Sequence, residues 1–135
     1  MTSPPLDQAR LVPSRGRPEF WRRIAVVALV GMVVIHAIGT IAVRGEYPRF
    51  ALFVELPLLA LALWVGTGAR WAAPVATVIT ALLVAYTALG AGSRLGDLDG
   101  GEALAAVLFF GLGLVAVIAC LATTLTSRQA ERADR

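Results

Sequence analysis

Few residues in this chain can do chemistry, and two of them lie in almost wholly apolar surroundings. His36 sits inside the apolar run 24–43, and Glu55 inside the run 50–67. An imidazole and a carboxyl group that meet can relay a proton, hold a cationic or quinone-like small molecule, or satisfy each other's hydrogen-bonding needs and lock two helices together. One histidine makes no metal site by itself, because such sites gather several ligands, so no metal is expected. An acid at the centre of a membrane helix costs about 2.5–3.5 kcal/mol on the insertion scale, so its presence calls for either a partner or a function.

The elements that must position these groups are read from the apolar runs. Residues 24–43 would form a helix of ~30 Å, enough to cross the hydrocarbon core. Residues 50–67 form a shorter second run, with Pro57 two residues after Glu55, where a proline frees a carbonyl one turn back and kinks the helix. A third run covers 71–89, with Pro74 in its first turn, where proline is tolerated. A fourth covers 103–125. His36 lies eight residues before Arg44 and Glu55 six after Arg49, hence ~12 Å and ~9 Å below one edge of the hairpin. Side chains span that difference. Thr40 lies one turn above His36, and Tyr86 and Thr87 close the third run on the same side. The expected constellation is therefore His36, Thr40, Glu55, Tyr86 and Thr87, a ligand or proton site in one half of the bundle.

Composition sets the class. The chain is 58% hydrophobic and 16% charged, against about a quarter charged in soluble domains. Its mean hydropathy is +0.76. The charges fall almost entirely between the runs or at the ends, so the reading is an all-α integral membrane four-helix bundle with antiparallel up-down topology. All 12 basic residues are Arg, which together with abundant Ala, Val and Leu points to a GC-rich bacterial gene and the inner membrane. A net charge of +3 scattered over separate loops excludes a nucleic-acid-binding stripe. Cys120 is the lone cysteine and reads as a small buried apolar residue. The chain holds no P-loop, GxGxxG, HExxH, CxxC or GxSxG, so neither a soluble-type catalytic centre nor a cofactor is indicated.

Residues 1–23 carry four prolines and five arginines and read as a disordered cytoplasmic tail; residues 126–135 form a second, polar one. The first run exceeds the usual ~7–15-residue core of a signal peptide, so it is taken as an uncleaved span. Arg10, Arg15, Arg17, Arg22, Arg23, Arg70, Arg128, Arg132 and Arg135 would lie on one side, and only Arg44, Arg49 and Arg94 on the other. The positive-inside rule then places both termini in the cytoplasm. Trp21, Arg22, Arg23, Arg70 and Trp71 are the expected membrane-interface anchors, since amphipathic rings and long cations settle among headgroups. In lipid, close packing depends on small residues, which the third run offers at Ala73, Thr77, Ala81 and Ala85, with Ala76, Thr80 and Ala88 on the adjoining ridge. The fourth run offers Ala106, Gly113, Ala116 and Cys120. Asp97, Asp99 and Glu102 read as a solvated acidic loop.

The segment from Glu55-Leu56-Pro57 through Gly68-Ala69-Arg70-Trp71-Ala72-Ala73-Pro74 resembles the middle of the DoxX/MauE-like four-span membrane proteins. The resemblance covers spans two and three. It implies a four-helix inner-membrane protein of a group linked to quinone or thiol redox systems, often as accessory subunits, with Glu55 and Arg70 as pattern residues. The chain departs from the MauE-like pattern in having no cysteine cluster after the third span. Two functions follow from these readings. One is a non-enzymatic accessory or interaction subunit that associates with itself or with a larger membrane complex. The other is a proton-coupled or quinone-binding protein, in transport or redox, that uses Glu55 and His36.

Overall fold

A computed structural model describes residues 16–45, 49–92 and 99–133. The described residues form four α-helices and one short 3-10 turn, with no strand: α1 (Gly16–Arg44), the turn Arg49–Ala51, α2 (Leu52–Gly66), α3 (Ala72–Gly92) and α4 (Gly100–Ala133). Three helices are long and apolar enough to cross a membrane, over Pro18–Ala42, Ala72–Leu89 and Gly100–Arg132. The expected second span, 50–67, is shorter than it was read. Its first residues tighten into the 3-10 turn, and the helix proper has 15 residues, or ~22 Å. Its end is set at Gly68, whose φ of +75° reverses the chain at low cost only for glycine.

The helix ends depart from the sequence reading in the opposite sense at α1 and α4. Residues 16–23, read as disordered tail, are the first two turns of α1. Pro18 falls in the first turn, where its missing N–H is harmless, and Glu19 there suits the positive end of the helix dipole. Residues 1–15 of that tail lie outside the described residues. At α4, Glu102 N–H donates to Asp99 Oδ1 at 2.8 Å, so Asp99 caps the helix and draws the end of the expected acidic loop into it. Asp97 lies outside the described residues. At its other end α4 runs through most of the expected tail 126–135, to Ala133, and its hydroxyl residues bond inside the helix; Thr126 Oγ1, for one, donates to Ala122 O at 2.8 Å.

α4 packs on both α1 and α3, and α1 also packs on α2, while α2 and α3 touch less. Contacts between α1 and α4 pair Gly31 with Leu112 and Gly39 with Ala105. A Cβ added at Gly113 would stand 2.5 Å from Val84 Cγ2 and 3.3 Å from Met32 Cε. Glycine is thus what lets α1, α3 and α4 approach at that level. The core gathers Leu29, Met32, Leu58, Val65, Ala76, Ala116 and Cys120, all buried. The stripe read on α4 is buried at Gly113, Ala116 and Cys120 and part-buried at Ala106. On α3 the packed face is Ala72, Ala73, Ala76 and Thr80; Ala81, Ala85 and Ala88 are exposed. The difference is helical geometry, since a spacing of four turns through ~400° and drifts off a straight contact line.

Candidate functional site

His36 comes from the middle of α1 and Glu55 from the first turn of α2. Because the chain reverses between them, the two meet: His36 Nδ1 lies 3.0 Å from Glu55 Oε1. The bond is made either by the ring N–H donating to a carboxylate or by a protonated Glu55 donating to the ring nitrogen. The side chains are unequally covered, at 7% exposed for Glu55 and 23% for His36. Phe109 of α4 packs beside the imidazole, its ring centroid 5.9 Å away at a 51° tilt. Nothing in the sequence pointed to Phe109, because its place beside His36 depends on the register of α1 against α4.

Of the other expected members, Thr40 is adjacent, and its Oγ1 donates to His36 O at 2.7 Å. That bond steadies the α1 backbone beside the imidazole and leaves the ring untouched. Thr87 spends its hydroxyl on its own helix, at Leu83 O and Val84 O. Tyr86 is 75% exposed. It lies ~200° around α3 from Val84, which packs inward, so the same turn that holds Thr87 half-buried swings Tyr86 outward. The structure brings together His36, Glu55 and Thr40, and not Tyr86 or Thr87. Among the described residues no three His, Cys, Asp or Glu side chains come together where they could hold a metal ion.

The expected interface anchors collect at the other end of α1. Phe20 and Trp21 meet edge to face at 5.4 Å, with Trp21 half-buried against the core. Trp71 is 66% exposed, and Arg23 projects outward. Arg70 Nη2 lies 3.7 Å from Glu131 Oε2, both side chains well exposed. The Arg22 guanidinium lies against Gly68, leaving no room for a Cβ there. A cavity of about 460 Å³ opens among these groups, and a second of about 240 Å³ lies between α1 and α4, near Gly39, Ala105 and Glu102. Neither is lined by His36 or Glu55.

No family model matches the chain, and neither a curated protein nor a solved structure matches it.

Proposed function

We propose that this is a non-enzymatic bacterial inner-membrane protein, an accessory or interaction subunit whose four helices form an antiparallel up-down bundle with both termini in the cytoplasm. It would work by associating with a second copy or with a larger membrane complex. The paired contacts support the topology. Residue numbers rise along α1 as they fall along α4, and α2 lies between α1 and α3 in the chain with a tight turn at Gly68. In this reading the short α2 completes its crossing together with the Arg49–Ala51 turn. A DoxX/MauE-like relationship fits such a subunit and rests on Glu55 and the segment 68–74.

The observation that carries the reading is the covering of the His36–Glu55 pair. The carboxyl group is buried against its partner, and Phe109 packs beside the ring. Such a pair serves as a lock between α1 and α2. Thermal unfolding in detergent of the wild type, Glu55→Gln, His36→Ala and the double variant tests it. A lock predicts that both single variants lose stability and that the double is little worse than either. Independent, additive losses would sink it.

One observation favours a second reading, proton coupling or quinone binding. The His36 side chain is 23% exposed, so part of it reaches the surface while Glu55 stays covered. Under that reading the single variants are neutral or more stable, because the bundle then keeps the acid for something other than stability.

A further inference from the structure

The cavity at the α2–α3 turn has an unusual lining. Three arginines reach it from three separate elements: Arg22 from α1, Arg70 from the turn and Arg128 from α4. Arg70 has Glu131 near it, at a distance longer than a hydrogen bond. Arg22 and Arg128 make no ion pair or side-chain hydrogen bond among the described residues. Glu19 and Glu131 share the lining, so three positive charges stand against two negative ones. Arg132 lines an adjoining recess together with Arg70, Arg128 and Glu131, raising the local excess to two.

The neighbouring hydroxyls are already engaged. Thr123 and Thr124 donate to Ala119 O and Cys120 O within α4, so the guanidinium groups are the strong donors left for a ligand. The first turn of α3 faces the same space through Ala73 and Pro74, adding the positive end of a helix dipole. Val65 and Trp71 supply an apolar wall and rim. Guanidinium forks match the geometry of phosphate oxygens and bind them in pairs.

We propose that this cavity binds a phosphate-bearing anion, gripped by Arg22 and Arg128, with Arg70 turning from Glu131 to complete the ring. Depth fits the chemistry. α4 has 34 residues, or ~51 Å, against a hydrocarbon core of ~30 Å, so its arginine-bearing end stands at or beyond headgroup level. Both a lipid phosphodiester and free phosphate reach that level.

Native mass spectrometry of the full chain, extracted from nanodiscs containing phosphatidylcholine and phosphatidylglycerol, provides the test, with inorganic phosphate titrated as competitor. The wild type should retain phosphatidylglycerol selectively, or else be stabilised by inorganic phosphate. Arg22→Gln with Arg128→Gln should weaken that binding on the order of tenfold or more, the effect of losing charge-assisted hydrogen bonds. Arg23→Gln, next in sequence but pointing outward, should leave it unchanged. Glu19→Gln should strengthen it, and a gain of binding cannot come from misfolding. Lipid retained in the presence of phosphate identifies a headgroup, and displacement by phosphate identifies the free anion. Absence of both selectivity and phosphate response overturns the proposal, as does an equal loss in Arg23→Gln.

Discussion

Two acid–base pairs among the described residues differ in almost every physical respect. His36 and Glu55 meet at 3.0 Å with the carboxyl group 7% exposed; Arg70 and Glu131 meet at 3.7 Å with side chains 74% and 51% exposed. The first joins groups from two helices, α1 and α2, with the carboxyl group buried. The second hangs at a charged end among other arginines and beside a cavity. Removing one member of a mostly covered pair leaves the other poorly solvated, whereas an exposed partner is simply rehydrated. On the lock proposed above, the same residue type, glutamate, would fasten the fold in one place and only tune local charge in the other.

The largest effect should come from stranding His36. Glu55→Ala is expected to lower stability by about 3 kcal/mol, and replacing both members with leucine should recover most of that loss. Chemical or thermal unfolding in detergent measures both. A small loss in Glu55→Ala would erase the contrast between the pairs.

Next comes Gly68, at the exposed pair's end of the molecule. Gly68→Ala forces a Cβ into left-handed backbone and against the Arg22 guanidinium, at a cost of about 1–2 kcal/mol from the backbone alone. The same unfolding measurement should show that this end is held by its turn and not by its ion pair.

Thr80 sharpens the comparison from a third direction, as a fully buried hydroxyl with no hydrogen-bond partner among the described residues. Thr80→Val should stabilise the protein by about 1 kcal/mol, since no bond is lost and an unmet polar group is removed. The sign is opposite to that expected at Glu55, although both residues are buried and polar.

The smallest effect belongs to Glu131→Gln, within about 0.5 kcal/mol, and salt should shrink it further because exposed charges are screened. A loss comparable to that of Glu55→Ala would show that exposure is a poor guide to the strength of these pairs.

Much of this could be read from the sequence because apolar runs and their breakers are one-dimensional signals. All-helical membrane character, the turn near Gly68 and the tolerance of Pro74 follow from residue types alone. The matching depths of His36 and Glu55 came from counting residues to the hairpin edges, and the contact at 3.0 Å agrees with that count. Rotation about a helix axis was harder. Residue counting places Tyr86 and Thr87 at the depth of the pair, but nothing local fixes which way α3 turns, and Tyr86 is exposed. The start of α4 was signalled by Asp99 followed three residues later by Glu102, a capping pattern that was read as loop charge. Phe109 and the three-arginine cavity depend on how separate helices dock, and no sequence window holds that information.

The most extensive packing among the described helices is between α1 and α4, the two farthest apart along the chain. This has a consequence for biogenesis. At synthesis rates of about 5–20 residues per second, the stretch from Arg44 to Gly100 takes seconds to emerge, and α1 spends that time without the surface it finally packs on. During the wait its glycines at 31 and 39 lack the α4 residues they finally meet, and the bond from His36 to Glu55 is available as soon as α2 has formed. A chain stalled before α4 would present an open, small-residue face to the bilayer, the kind of surface that membrane chaperones and proteases are built to find.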